Sequence, residues 1–152
     1  MDKLIRHAAA WSIDSIFEKS KAMTRRWISH IAAAIVAVIL LQTLYFKFTA
    51  HPDSVFIFTK LHMEPTGRIM VGVMELLASL AILRPTSRAL GAVLAAGVLA
   101  GAIFFHLAIL GINVNGDGGK LFALAVVAFI GSCTVAWIHR REIPFIGHRF
   151  VK

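Results

Sequence analysis

Arg68 and Glu75 stand seven residues apart inside an apolar segment of membrane length, Gly67 to Leu83. Seven residues of α-helix make nearly two turns, so both side chains leave one face. A charge near the bilayer centre costs roughly 2.5–3.5 kcal/mol on insertion scales, and such residues face a bundle interior or a wet cavity. A carboxylate held there is paired with a cation or protonated, because an unpaired buried carboxylate takes up a proton instead of staying charged. Two kinds of role are open to the pair. Glu75 can accept or relay a proton while Arg68 hydrogen-bonds a ligand, or the two can form a structural ion pair that fixes helix register.

The elements that position these residues follow from composition and charge. Of the 152 residues, 58% are apolar and 16% charged, a balance that fits a small membrane protein and not a soluble domain. The net charge of +8 is not accompanied by an aromatic-interleaved basic patch or a nucleic-acid module, so nucleic acid is not an expected partner. The single cysteine, Cys133, excludes an intramolecular disulfide, a CxxC pair and a cysteine zinc cage. Four apolar stretches, residues 28–48, 66–83, 89–110 and 120–138, are expected to cross the lipid bilayer as a four-helix bundle. Residues 1–27 form a basic leading segment whose Ile5, Ala9, Ile13, Ile16 and Phe17 could make an interfacial amphipathic helix. A single membrane domain covers 28–145, and a basic tail covers 146–152.

Lys and Arg cluster before the first stretch, between the second and third (Arg84, Arg88), and after the fourth (Arg140, Arg141). The connections 49–65 and 111–119 hold only Lys60, offset by Asp53, Glu64 and Asp117. The positive-inside rule then places both termini in the cytoplasm and the two balanced loops outside. Asp53 could cap a short helix in the first of these loops, and the glycines of the second predict turns. Gly97 and Gly101 form a GxxxG, expected to serve close helix packing, with a homo-oligomer contact as the alternative.

Topology assigns each polar residue a depth. Gln42, Tyr45 and Lys47 fall in the outer third of the first stretch, and Arg68 lies just below the outer surface. Glu75 is roughly 10–15 Å deep, and His106 sits about one turn below the outer end of the third stretch. His51, His62, Asn113, Asn115 and Asp117 belong to the outer loops. The expectation is a polar pocket opening outward, with Glu75 towards its floor and Lys47 or His106 competing with Arg68 as its partner. Glu75 and His106 are the candidate catalytic residues; Arg68, Lys47, Tyr45 and Gln42 are the candidate ligand-binding residues. Lys47 could equally be a snorkelling interfacial anchor, and Tyr45 a belt aromatic. His30 and His139, at the inner ends, are expected to meet headgroups. Haem is disfavoured because His106 has no intramembrane mate, and His51, His62 and His106 lack the short spacing of a metal site.

Several short motifs carry a resemblance. Tyr45-Phe46-Lys47-Phe48 ends the first stretch, Glu64-Pro65-Thr66-Gly67-Arg68 opens the second, and Gly72-Val73-Met74-Glu75-Leu76-Leu77 follows. Phe105-His106-Leu107 and Gly116-Asp117-Gly118-Gly119 complete the set. In this order and spacing, over about Ile28 to Phe145, the chain resembles the DoxX family of small four-helix membrane proteins. The resemblance implies a bundle in the cytoplasmic (inner) membrane. Family members have been linked to thiosulfate oxidation with quinone as acceptor and to complexes handling thiol or oxidative stress, beside partner subunits. It makes quinone a candidate cofactor or ligand, the cofactor being otherwise open, and a redox subunit or a homo-oligomer a candidate partner. The alternatives are a non-enzymatic binder or transporter of a small anionic or amphipathic molecule, and a membrane scaffold or assembly factor.

Overall fold

The computed structural model describes residues 2–143, with side chains over 15–143. The first helix, α1 (Asp2–Phe48), runs unbroken through the boundary expected at residue 28. A short α2 (Pro52–Lys60) follows, then α3 (Thr66–Leu83), α4 (Arg88–Phe105) and α5 (Lys120–Ile138). A π-helical turn, His106–Leu110, extends α4. Within α1, α3, α4 with its flanking turns, and α5 lie four segments long and apolar enough to cross a membrane. This is the architecture of a multi-pass membrane protein. The expected tail, 146–152, and the side chains of Ile5, Ala9 and Ile13 lie outside the described residues, while Ile16 and Phe17 are exposed.

Helix α1, 47 residues long, extends about 70 Å at 1.5 Å per residue, more than twice the hydrocarbon thickness. Its basic stretch around Lys19, Lys21, Arg25 and Arg26 therefore projects beyond the lipid core. The spanning helices alternate in direction, so this basic end of the bundle also carries Arg84, Arg88 and Arg140. The opposite, loop end carries α2 and the 111–119 connection. Helix α2 starts at Pro52, which needs no N–H partner in a first turn. Its N-cap is His51, not Asp53: His51 Nδ1 accepts from the Asp53 amide at 3.4 Å. Asp53 sits two positions too far along to cap, and its carboxylate reaches Asn115 instead.

The four spanning helices form a ring in which α1 packs on α3 and α5, and α4 packs on the same two. The core consists largely of alanine, including Ala33, Ala37, Ala78, Ala92, Ala95 and Ala128, with Val36, Leu40, Ile82 and Val135. Small side chains let the helices approach closely, which is how packing is gained where lipid offers no hydrophobic driving force. These residues concentrate in the basic half of the bundle.

The tightest approach is not at the GxxxG. A Cβ added to Gly91 would come within 2.2 Å of the Ile82 nitrogen, whereas one on Gly97 or Gly101 would meet nothing within 4 Å. The helical spacing of the two glycines is as expected, but among the described residues they face open space. Seam α3/α4 is therefore pinched at its basic end and parted towards the loop end. Gly91→Ala should lower stability by about 1–3 kcal/mol through overpacking. Gly97→Ala should be neutral or stabilising by up to about 1 kcal/mol through helix propensity. Thermal unfolding in detergent compares the two.

Candidate functional site

Between the parted helices lies a cavity of about 550 Å³ walled by all four spans and roofed by α2. Its lining is mostly apolar, and its polar members are few: Gln42, Thr43, Lys47, Glu75 and His106 from the spans, with Asp53, Ser54, Asp117 and Lys120 at the loop end.

Lys47 lies in the last turn of α1, where the register with α3 brings it opposite Glu75. Its Nζ is 2.9 Å from Glu75 Oε2, and the two side chains are 12% and 8% exposed. Lys47 is thus turned inward and does not snorkel. Thr43, one turn earlier, donates to the same Oε2 at 2.8 Å. Phe48 and the Lys47 Cβ press on Gly72, so the α1/α3 seam beside the pair is closed. Glu75 Oε1 makes no hydrogen bond among the described residues. No fully buried polar side-chain atom there lacks a partner, so Oε1 opens on the cavity.

Arg68 shares the helix face of Glu75 but not its contacts. Its Nε lies 2.9 Å from both oxygens of Glu64 and its Nη2 2.8 Å from Oε1, one helical turn away, while Nη1 donates to the Lys47 carbonyl. The rise of about 10 Å between Arg68 and Glu75 is too long for direct pairing once a closer carboxylate is present. Arg68 is not part of the cavity wall; it braces the end of α1 against α3.

His106 is 6% exposed and lines the cavity. Its Nδ1 lies 2.9 Å from the Gly111 carbonyl oxygen. A carbonyl only accepts, so Nδ1 carries a proton, and whenever the ring is neutral Nε2 presents a lone pair. The π-helical turn makes this possible: the Gly111 amide donates to the His106 carbonyl at 2.8 Å, closing the chain back over the ring. Nε2 has no partner among the described residues, and by the same reasoning as for Glu75 Oε1 it opens on the cavity.

Of the residues singled out by sequence, the structure gathers Gln42, Lys47, Glu75 and His106 on one cavity, Gln42 at its exposed rim. Tyr45 is 65% exposed and faces away, since it leaves α1 on the side opposite the bundle. Thr43 and Glu64 were not offered as site residues. Thr43 sits one turn from Lys47 on the same face, a spacing that could have pointed to it, and Glu64 sits at i−4 from Arg68.

The loop end is held by Asp117. Its Oδ1 accepts from the Val114 and Gly119 amides and its Oδ2 from the Leu121 amide, each at 2.9 Å. Partial burial alone would push this carboxyl up; the three amides and nearby His106 hold it below the ordinary carboxylate value. Asn115 donates to Asp53 at 2.6 Å and Lys60 reaches the Leu110 carbonyl at 3.5 Å, so loop 111–119 and α2 are strapped together.

The basic end also carries polar structure that the sequence did not reveal. His139 joins Ser29 Oγ at Nε2 (2.8 Å) and Glu142 Oε1 at Nδ1 (2.9 Å). Ser29 is 1% exposed, which closes its hydroxyl to any substrate and makes the chain a tie between α1 and α5. Buried Arg88 donates to the Ile82 and Leu83 carbonyls and lies 3.4 Å from His30 Nε2.

Comparison with known proteins finds no matching family model, no matching curated protein and no matching solved structure.

Two outcomes are expected. Lys47→Met leaves a buried carboxylate without its cation and should cost about 3–5 kcal/mol. The double variant Lys47→Met/Glu75→Met should cost clearly less than the two singles together, whereas Arg68→Met and Glu75→Met should add within about 0.5 kcal/mol. Thermal unfolding of the six proteins, wild type included, reads both cycles. For Asp117, the folded value lies below the unfolded one. Its stabilisation is therefore fully present above about pH 4 and is lost as pH falls through the depressed folded value. Hydrogen exchange of the Val114, Gly119 and Leu121 amides should show protection at pH 5 that fades in stronger acid, and Asp117→Ala should remove it at both.

Proposed function

We propose that this is a DoxX-like multi-pass protein of the inner (cytoplasmic) membrane, with both termini in the cytoplasm, that binds a hydroquinone or quinone as the membrane component of a redox system. The orientation rests on the clustering of Lys19, Lys21, Arg25, Arg26, Arg84 and Arg88 at one end of the bundle. The resemblance of the motifs from Tyr45 to Gly119 to that family supports the ligand class independently of the cavity.

One observation carries the choice of ligand. The cation within the membrane-spanning part of the cavity, Lys47, is already engaged by Glu75, and the buried residues there leave two acceptors open, Glu75 Oε1 and His106 Nε2, with the Gln42 amide at the exposed rim. Such a site suits a neutral molecule with two hydroxyl groups on an otherwise apolar frame. A hydroquinone is that molecule. Its oxidation to the quinone releases two protons and two electrons. Glu75 and His106 are placed to accept protons, and the electrons pass to a redox partner subunit. The pairing of Lys47 and Arg68 with carboxylates weighs against a small anion as ligand. The packed alanine core beneath the cavity favours a binder over a carrier, because it leaves no second way out.

Native mass spectrometry of gently extracted protein should detect a co-bound quinone or hydroquinone. Titration with a decyl hydroquinone should show affinity falling about tenfold in Glu75→Gln and in His106→Phe, the loss expected when one hydrogen bond of about 1.4 kcal/mol goes. Protein that carries no quinone, together with variants that bind as wild type does, would remove the proposal.

A further inference from the structure

The cavity has two exposed rims, a polar one at Gln42 and Lys120 and an apolar one at Gly97 and Met74. At the loop end, α2 and loop 111–119 are strapped across it by Asp53–Asn115 and Lys60–Leu110. Around the ring, the α1/α3 seam is filled by Phe48 against Gly72, while α1/α5 is packed below the cavity, where Val36 stands 2.8 Å from where a Gly131 Cβ would be, and carries exposed Gln42 and Lys120 at the cavity's own level. The α3/α4 seam differs. It is pinched at Gly91, but one to three turns further on the cavity is lined by Gly97, Gly101 and Met74. Gly97 is exposed, Met74 is 40% exposed, and no atom stands within 4 Å of either glycine's Cβ position. Gly97 and Gly101 lie about 14 and 20 Å along α4 from Arg88, well inside a hydrocarbon layer about 30 Å thick.

We infer that the α3/α4 seam at Gly97 and Gly101 is a lateral portal through which the ligand enters from the bilayer, its tail left in the lipid and its head on Glu75 and His106. This rests on the ligand site proposed above and adds to it a class of ligand: a lipid-dissolved amphipath with a neutral, hydrogen-donating head and a long apolar tail. The chemistry of the opening selects that class. Its edges are two side-chain-free glycines, Met74 and Val98, which offer nothing to a polar group. On the opposite flank the exposed lining groups are Gln42 and Lys120, which do not suit a tail. Inside, His106 Nε2 has no partner among the described residues and the residue is only 6% exposed, so a head that donates a hydrogen bond completes the site.

The test fills the notch where filling costs the fold nothing. Gly97→Phe/Gly101→Phe places side chains in open space, and its unfolding temperature should match wild type; Gly97→Ala/Gly101→Ala serves as the smaller step. Each protein, in phosphatidylcholine nanodiscs, is titrated with a polyprenyl hydroquinone and with the same hydroquinone lacking a tail. The expected result is a loss of at least tenfold in affinity or association rate for the tailed probe in the phenylalanine variant, a smaller loss in the alanine variant, and unchanged binding of the tail-less probe. If both probes bind the phenylalanine variant as they bind wild type, the portal is overturned and the ligand site stands. If the phenylalanine variant loses both equally, the substitutions act on the site itself and the portal is again overturned. If neither probe binds wild type, the ligand site falls and the portal with it.

Discussion

A carboxylate in the hydrocarbon layer must be neutralised, and the bundle is organised around how Glu75 meets that requirement. The Lys47 ammonium and the Thr43 hydroxyl both reach Oε2, which holds α1 and α3 in one register, since a slip of one residue on either helix would turn a charge away from its partner. Buried pairs of this kind contribute little net stability over apolar side chains but are costly to break, so they act as register pins. Arg68 tightens the same seam by binding the carbonyl at the end of α1 while Glu64 balances its charge. The α1/α3 wall is therefore fixed, and any opening of the ring must occur elsewhere.

That opening follows from the distribution of small residues on α4. Gly91 admits the backbone of α3 at its basic end, and the alanines around it bring all four helices together. Beyond that close approach, no large side chain at Gly97 or Gly101 fills the space beside α3. The cavity is the geometric consequence. Its position beside the pinned seam leaves Glu75 Oε1, the oxygen that Lys47 and Thr43 do not use, facing the space. The interaction that fixes register thus also supplies the site with an acceptor.

Much of this was legible in the sequence, and the failures have a common cause. The boundaries of α3 and α5 follow hydropathy to the residue, because hydrocarbon contact leaves no tolerance for polar groups at lipid-facing positions. Start of α1 was not legible: a basic segment can be helical without being apolar, so composition marked where the lipid begins and not where the helix does. Residues on one helix were read reliably, as with the shared face of Arg68 and Glu75. Pairings across helices were left open, since they depend on register: Lys47 stood only as one of three candidate partners for Glu75, and it is the one that Glu75 takes. The direction of the GxxxG was hidden for the same reason. Spacing places two glycines on one face but does not say whether a helix or open space lies opposite. Likewise Ser29, His139 and Glu142 are ordinary residues until α1 and α5 are laid side by side.

The π-helical turn at His106 decides which state of a redox ligand the proposed site prefers. Were α4 to continue regularly, the Gly111 carbonyl would not lie against Nδ1, and the ring could present either a donor or an acceptor. With the tautomer fixed, neutral His106 offers a lone pair, as Glu75 Oε1 does. A hydroquinone donates to both; a quinone, with two carbonyl acceptors, donates to neither. The proposed site therefore binds the reduced form more tightly, and by linkage any ligand bound preferentially in one of two states has its equilibrium moved toward that state. The bound couple is harder to oxidise than the free one, and protonation of His106 would weaken that preference by turning one acceptor into a donor. Neutral charge pairing, a fixed tautomer and a lateral opening converge on one discrimination, made by hydrogen-bond polarity where lipid excludes discrimination by charge.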